Sequence, residues 1–279
     1  PGTVLLDLIR SDCAAVTHLT TIYRQGRHSD IVVNAHAVNA GRVPELAAPG
    51  RAEELREFYW IDEEDASRAA ALVAELVAVR IPRRFGFDPA QDIQVIVPMN
   101  RGTCGTKALN DLLQSRLNPE GAHPQFRNGD RVFRSGDRVM QTANNYDKGV
   151  FNGDMGRILH VDHGEKHFRV RFDVGTVEYD FTEAEQLIHA YAVTVHKAQG
   201  SEFPAVVFPL LTQHYLLLQR NLVYTGMTRA RRLLVMLGSR RALHAAVANT
   251  RLEPRYSLLL DRLRQLGSAP AGAASGGAG

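Results

Sequence analysis

Short apolar runs recur along the chain, spaced far enough apart to leave room for a helix between them. The five runs are 57–61, 93–98, 190–195, 205–211 and 233–237. Strands that are apolar on both faces are typical of a parallel sheet covered by helices on each side. Segment 65–79 opens with acidic residues and repeats apolar residues at helical spacing, and segment 103–117 supplies a second helix. The pattern predicts an α/β fold.

A different pattern interrupts these runs in the middle of the chain. In 167–172, the apolar residues Phe168, Val170 and Phe172 alternate with Arg169 and Arg171. This period of two is typical of a half-exposed antiparallel strand. Turn sequences flank it, and further short strands are predicted at 138–141, 155–161 and 176–181. We therefore expect a small β module inserted into the α/β domain.

The end of the chain divides into a helical part and a tail. Apolar spacings of three and four residues over 240–266 predict helix on both sides of a break at Pro254. Residues 267–279 are only Gly, Ala, Ser and Pro, so they have nothing to bury and predict a flexible tail.

The composition excludes several classes of protein. With 44% hydrophobic and 23% charged residues among 279, the chain is neither disordered nor collagen-like. It has no apolar run of membrane-helix length and no signal-peptide layout, so we expect a cytoplasmic protein. Cys13 and Cys104 are too few for a disulfide framework, and the histidines lack ligand-like spacing, so we expect no metal site.

The net charge of +3 hides an uneven distribution. Ten arginines and only two acidic residues lie between Arg220 and Arg264. Such a block is compatible with a surface that binds phosphate, because guanidinium groups form bidentate contacts with phosphate oxygens. A coding bias combined with a solvated helix face also explains the block, and the charge alone favours this second interpretation.

Two segments carry more specific chemistry. The first, TVHKAQGSE at 194–202, follows a strand with small and polar groups; Gly200 permits close backbone approach to a phosphate, and Glu202 can accept a hydrogen bond from a ribose hydroxyl. The second, YTGMTRAR at 224–231, places Arg229 and Arg231 around a turn of short side chains that enters a strand. An arginine placed in this way can stabilise charge on the γ-phosphate of a neighbouring nucleotide.

These strings resemble the conserved motifs of superfamily 1 helicases. TVHKAQGSEF (194–203) resembles motif V, NLVYTGMTRAR (221–231) resembles motif VI, and LTTIYRQ (19–25) resembles motif IV, in the expected order. The stretches 139–141, 144–147 and 151–156 resemble the entry to the SH3-like insertion of the RecD-like branch. The same branch is also resembled at Val97-Pro98-Met99, Gly102, Gly105, Leu109-Asn110 and Leu117-Asn118-Pro119.

The resemblance implies a RecA-like P-loop NTPase-type fold with an inserted SH3-like β-barrel. The implied domains are the end of a first RecA-like domain (1–18), RecA-like domain 2A in two parts (19–136 and 183–266), the SH3-like insertion 2B (137–182) and the tail (267–279).

The resemblance also implies roles for individual residues. Arg229 and Arg24 would act as catalytic residues that reach the γ-phosphate of ATP, and Gly200, Glu202 and Gln199 would lie at the nucleotide. The residues implied at single-stranded DNA are Thr194, His196, Arg101, Thr103, Thr106 and Asn110, with backbone N–H groups at the helix entry 101–106 offered to a DNA phosphate.

Several of these residues keep a structural alternative. Arg229 could lie on a solvated basic surface, Arg24 could form an interdomain salt bridge, and His196 could be a hydrogen-bonded structural histidine. Tyr146 could stack on a base or pack into the barrel, and Asn152-Gly153 could be a hairpin turn.

One part of the family pattern does not occur in this sequence. No Gly-x-x-x-x-Gly-Lys-[Ser/Thr] loop is present, and its nearest counterpart, 102–107, has the wrong spacing and is followed by Ala108 instead of a magnesium-binding hydroxyl. We therefore expect the C-terminal half of a motor that is inactive alone, with ATP and Mg²⁺ held mainly by an N-terminal RecA-like half.

The leading hypothesis is a portion of a bacterial ATP-dependent 5′-to-3′ DNA helicase that acts in repair or recombination. Its expected partners are single-stranded DNA, duplex junctions, the N-terminal motor half and a recombination or repair complex, with no membrane. The alternative is a stand-alone module that binds single-stranded nucleic acid or docks a partner without ATPase activity. A UvrD-type relative is disfavoured, because the insertion is a short β segment and not a large helical one.

Overall fold

The computed structural model describes residues 4–17, 29–46, 55–250 and 258–267, without the side chains of residues 216, 266 and 267. The chain forms two compact units, one from segments 1–22 and 251–279 and the other from 23–250. The helices are α1 (Val4–Arg10), α2 (Asp30–Asn39), α3 (Ala66–Glu75), α4 (Ile81–Phe85), α5 (Thr106–Leu117), α6 (Arg220–Met227), α7 (Arg240–Ala248) and α8 (Leu259–Gly267).

Twelve strands occur in the described residues, together with short 3-10 turns at Phe181–Gln186 and Thr212–Leu217. The strands are β1 (Phe58–Asp62), β2 (Ile93–Val97), β3 (Gln125–Asn128), β4 (Arg131–Arg134), β5 (Arg138–Gln141), β6 (Met155–Asp162), β7 (His167–Phe172), β8 (Gly175–Asp180), β9 (Leu187–His189), β10 (Ala192–Thr194), β11 (Phe203–Leu210) and β12 (Ala230–Gly238).

The five apolar runs form one parallel sheet, in the order β1-β12-β11-β2-β10. Both faces are covered, since Val206 packs in the core on one face and Val207 in the core on the other. All five predicted strands are confirmed. Apolar runs predict such strands because a strand covered on both faces has no solvent-facing side for polar residues.

The predicted helices are confirmed with adjusted ends. Asp65 caps the first turn of α3, where its carboxylate accepts a hydrogen bond from the Arg68 backbone N–H at 2.8 Å. The helix continues as a π-helical turn over Leu76–Arg80. Helices α7 and α8 occupy the two ends of segment 240–266, and the predicted break at Pro254 lies outside the described residues.

The alternating segments form a second sheet, which is antiparallel and has the order β8-β7-β6-β5-β9. Strand β7 has the predicted pattern, with Phe168, Val170 and Phe172 in a core and Arg169 and Arg171 exposed. The β3–β4 hairpin adds Phe126 and Phe133 to this core, and β9 adds Leu187. We call residues 125–189 the β module; its strands extend beyond both ends of the predicted 137–182 insertion.

Arg138 joins the β module to the parallel sheet within the larger unit. Its guanidinium donates hydrogen bonds to the Ile93 carbonyl and to Gln94 Oε1, both at 2.8 Å. Burial lowers the pKa of Arg138 to about 10, so the group is still a cation at neutral pH. The Gln94 amide in turn donates to the carbonyls of Ala190 and Tyr191 at 3.1 Å.

A buried carboxylate, Asp137, forms a second junction beside it. It accepts hydrogen bonds from the Gln114 and Asn118 amides at 2.7 Å, and from the Arg134 N–H and the Tyr191 hydroxyl at 2.8 Å. Gln114 and Asn118 belong to α5 and its C-cap, whereas Tyr191 directly precedes β10. Asp137 therefore holds the helix, the module and the sheet edge in one arrangement.

Candidate nucleotide and nucleic-acid sites

The motif V segment crosses from one end of the parallel sheet to the other. Thr194, at the carboxyl end of β10, lies level with Val97, whereas Ala205 in β11 lies level with Ile93. These positions are four residues apart along β2, or about 13 Å. Residues 195–202 span this distance, so Thr194 and His196 lie at one end of the sheet and Glu202 at the other.

Arg229 is nearly buried and connects motif VI to motif V. Its Nη1 donates to the Ser201 carbonyl at 3.0 Å, and its Nε donates to the Thr225 carbonyl at 3.1 Å. Its backbone carbonyl accepts from the Phe203 N–H at 2.9 Å, which joins the starts of β11 and β12. Arg229 is therefore an ordered side chain at the end of motif V, and not one of the exposed arginines of the basic segment.

The other residues assigned to the nucleotide lie next to this arginine in the chain or the fold. Gly200 is exposed and has φ +87°, a conformation that favours glycine, and Gln199 is exposed beside it. The Glu202 carboxylate lies 3.7 Å from Nε of Arg231. The structure thus brings the predicted residues of motifs V and VI together at the amino ends of β11 and β12.

The turn predicted before the strand is confirmed at Thr228 and Arg229, whereas the helix before it was not predicted. Residues 221–227 lie in this helix, α6. A Cβ at Gly226 would lie 2.5 Å from Cε1 of Phe208, so a glycine is needed where the helix contacts the sheet. Packing of α6 against β11 overrides the low helix propensity of glycine and threonine.

The residues assigned to single-stranded DNA collect at the carboxyl ends of β2 and β10. His196, Arg101 and Thr103 are exposed, and Thr106 Oγ1 lies 2.9 Å from Asn100 Oδ1 at the start of α5. Gly105 caps this start, and a Cβ there would lie 2.4 Å from the Asn100 carbonyl oxygen. The tight loop leaves the first turn of α5 without a side-chain cap.

Asn110 differs from this group because its side chain is buried. Its Oδ1 accepts from the Ala192 N–H and its Nδ2 donates to the Ala192 carbonyl, both at 2.9 Å. The amide therefore pairs with the outer edge of β10, where the sheet has no further strand. In this structure Asn110 stabilises the strand that begins motif V.

Tyr146 lies on a loop of the β module and is 77% exposed. Its ring meets that of Phe151, itself 43% exposed, edge to face with centroids 5.8 Å apart. Neither ring belongs to the module core. Stacking on a base stays a prediction, and Arg24 lies outside the described residues together with the rest of segment 19–25.

Sequence reasoning did not single out two cations, Lys197 and Arg131, or the buried carboxylate of Asp137. Burial, together with the nearby charge of Arg131, lowers the pKa of Lys197 in motif V. Arg131 Nη1 donates to the Leu187 carbonyl at 2.7 Å. Its effect on Lys197 indicates that this β-module cation lies close to motif V. Asp137 went unnoticed because a single aspartate gives no local signal of burial.

Comparison with known proteins supports the resemblance over most of the chain. Residues 109–172 match the family "ATP-dependent RecD-like DNA helicase SH3 domain", and residues 189–237 match the "UvrD-like helicase C-terminal domain". The chain is 35% identical over 262 residues to the ATP-dependent RecD2 DNA helicase of Deinococcus radiodurans, covering 92% of this chain and 33% of that protein.

The chain is related to the RecD-like branch of superfamily 1 helicases. A second relative, the RecBCD enzyme subunit RecD of Mycobacterium tuberculosis, is 29% identical over 276 residues, covering 95% of this chain and 46% of that subunit. The chain thus spans less than half the length of both RecD-like relatives. Among solved structures, Bacteroides Pif1 bound to ssDNA has a TM-score of 0.51 at 16% identity, covering 90% of this chain and 57% of that one, which supports the shared fold.

Two further structural findings concern the described residues alone. None of their helices is both long and apolar enough to cross a membrane. No group of three or more His, Cys, Asp or Glu side chains among them is arranged to hold a metal ion.

Proposed function

We propose that the chain is the C-terminal motor portion of an ATP-dependent DNA helicase that moves 5′ to 3′ on single-stranded DNA during repair or recombination. The hydrogen bond between Arg229 Nη1 and the Ser201 carbonyl carries the proposal. It places a cation of motif VI directly against motif V, beside Gly200 and Glu202. The relatives' names and the motif order support the same assignment.

The residues present fit one side of a shared nucleotide site. Hydrogen bonds to the carbonyl oxygens of Ser201 and Thr225 and to Thr228 Oγ1 fix the Arg229 guanidinium, whose planar fork matches phosphate oxygens in charge and geometry. We propose that Arg229 and Arg24 contact the γ-phosphate, and that Glu202, Gly200 and Gln199 lie at the sugar and phosphates. ATP with Mg²⁺, held mainly by an N-terminal RecA-like half, supplies the phosphoanhydride bond that is hydrolysed.

The single-strand track follows from the carboxyl ends of β2 and β10. Thr194, His196, Arg101, Thr103 and Thr106 would contact the strand there, and Tyr146 would stack on a base. The start of α5 has no side-chain cap, and we propose that a phosphate approaches it. The Thr106 and Lys107 N–H groups donate to the Met99 and Asn100 carbonyls at 3.3 and 3.4 Å and would exchange these partners for the phosphate. Since motif V joins this end of the sheet to Arg229, nucleotide binding at one end would shift the residues that hold DNA at the other.

Replacing Arg229 in the full-length protein tests this function. We expect Arg229→Ala to lower ATP turnover by about 10³-fold or more, because an arginine that stabilises transition-state charge contributes this much. Single-strand binding without nucleotide should stay nearly unchanged. Arg229→Lys should recover only part of the turnover, because an ammonium lacks the planar fork of guanidinium.

The matched control is Arg232→Ala, which removes an equal charge three residues away. Arg232 is exposed and lies over the Phe87 ring, 5.0 Å from its centroid, so turnover should persist. Tryptophan fluorescence from buried Trp60 checks that each variant is folded. Normal turnover in Arg229→Ala would overturn the assignment of Arg229 to the γ-phosphate. Absence of ATP turnover in the unsubstituted full-length protein would instead favour a nucleic-acid-binding module without ATPase activity.

A further inference from the structure

The outer face of the β module carries an unbalanced row of arginines. Arg138 in β5 lies opposite Arg157 in β6, Arg157 lies opposite Arg171 in β7, and Arg171 lies opposite Thr176 in β8. Directly opposite residues of antiparallel strands have Cβ atoms about 5 Å apart, and like charges in these positions repel each other. The charge of Arg157 indeed contributes to the lowered pKa of Arg138.

In the neighbouring row on the same face, an acidic residue balances the positive charge. There His160 lies opposite Arg169, and Arg169 lies opposite Glu178, whose carboxylate is 3.2 Å from Arg169 Nε. In the row that contains Arg157 and Arg171, Thr176 occupies the β8 position that Glu178 occupies in the row of Arg169. Of the described residues, no carboxylate forms an ion pair with Arg157 or Arg171, and Asp88 and Asp92 lie near the buried end of the row, at Arg138.

Arg157 and Arg171 lie on a part of the fold that is separate from the proposed single-strand track. Arg138 at the buried end of the row binds the Ile93 carbonyl at the amino end of β2, whereas the track lies beyond the carboxyl end of β2. Arg157 is oriented by a hydrogen bond from its Nε to the Gly136 carbonyl at 3.2 Å. Both Arg157 and Arg171 are exposed.

We propose that Arg157 and Arg171 form a site for the phosphate backbone of duplex DNA, on a face distinct from the single-strand track. Two adjacent guanidinium groups without a carboxylate partner match phosphate oxygens in charge and hydrogen-bonding geometry. The outward side chains of β6, β7 and β8 include no Phe, Tyr or Trp. The face therefore has the groups that contact a duplex backbone and lacks the stacking rings that single strands use. This inference rests on the proposed function, because it assumes that the chain handles DNA.

A binding experiment on the 279-residue chain compares two kinds of arginine on one face. The variants are Arg157→Ala/Arg171→Ala and the control Arg169→Ala, whose charge is already neutralised by Glu178. A labelled blunt duplex of about 20 base pairs and a labelled oligo-dT are titrated by fluorescence anisotropy between about 50 and 200 mM NaCl.

We expect the double variant to weaken duplex binding by about tenfold or more and to reduce the slope of log K against log salt by about 1.8, or two phosphate contacts. Arg169→Ala should change neither value, and oligo-dT binding should persist in all three proteins. A further variant, Arg157→Lys/Arg171→Lys, should keep most of the salt slope, since it retains both charges.

Three results would overturn the inference: no duplex binding by the wild-type chain, an equal loss of duplex affinity in Arg169→Ala, or duplex affinity that is unchanged by the double alanine substitution. In the third case, a glutamate-rich peptide whose binding depends on Arg157 and Arg171 would identify the face as a protein-docking surface. Failure of the proposed function looks different, because it is read from ATP turnover in Arg229→Ala.

Discussion

Strands β11 and β7 bury their side chains in opposite ways, although both are central in their sheets. In β11, the neighbouring residues Val206 and Val207 face opposite sides and are both fully buried. In β7, Val170 is fully buried while Arg169 is exposed. A parallel sheet covered by helices has two interior faces, whereas the β-module sheet has an interior face and a solvent face. The β module can therefore carry charged groups on a face of its sheet, whereas the parallel sheet can carry them only at the ends of its strands.

The largest effect is expected where the two regions are joined. Asp137→Ala should lower the free energy of unfolding by about 4 kcal/mol, because the buried donors of Gln114, Asn118 and Tyr191 lose their acceptor together. Urea unfolding followed by circular dichroism measures the change. The control Asp111→Ala removes an exposed carboxylate from α5, the helix that contains Gln114, and should have little effect. Equal stability of the two variants would mean that Asp137 does not hold the regions together.

Acid should weaken the parallel-sheet region through a buried imidazole. Burial lowers the pKa of His214 to about 4, and its Nδ1 accepts a hydrogen bond from the Leu211 N–H at 3.1 Å. The folded-state pKa lies below the ordinary value of about 6.5, so this stability is complete above pH 6.5 and is lost as the pH falls toward 4. The loss amounts to about 3 kcal/mol at full protonation.

The pH dependence is measured by unfolding the wild-type chain, His214→Asn and the exposed control His123→Asn, with Trp60 fluorescence as a probe of the parallel sheet. His214→Asn should flatten the curve between pH 6.5 and 4, and His123→Asn should follow the wild type. Parallel curves for all three proteins would exclude His214 as the group responsible.

Smaller effects test the two faces directly. Val206→Ala and Val207→Ala should each cost about 2 kcal/mol, because each removes buried methyl groups from a filled core. In β7, Val170→Ala should cost a similar amount, whereas Arg169→Ala should change stability by less than about 0.5 kcal/mol. Chemical unfolding of the four variants gives the comparison. A cost at Arg169 equal to that at Val170 would show that β7 has no true solvent face.

Most elements were predictable because burial follows local patterns. The alternation in 167–172 matched β7 at both ends, and the five apolar runs all became strands of the parallel sheet. Helix α6 was missed because its sequence includes Gly226 and short polar residues, and its stability depends on contact with Phe208. The β3–β4 hairpin was missed because β3 has a single apolar residue, Phe126, and polar residues occupy both ends of β4 around Val132 and Phe133.

The candidate sites were predictable as motifs but not as contacts. The strands, the change from buried to half-exposed sheet, and the chemical character of motifs V and VI could be predicted, because they depend on residues close together in the chain. The folded structure was needed to show that Arg229 binds Ser201, that Asn110 pairs with Ala192, and that Arg157 and Arg171 are neighbours. Those contacts depend on strand order, register and helix packing, which bring together residues far apart in the sequence.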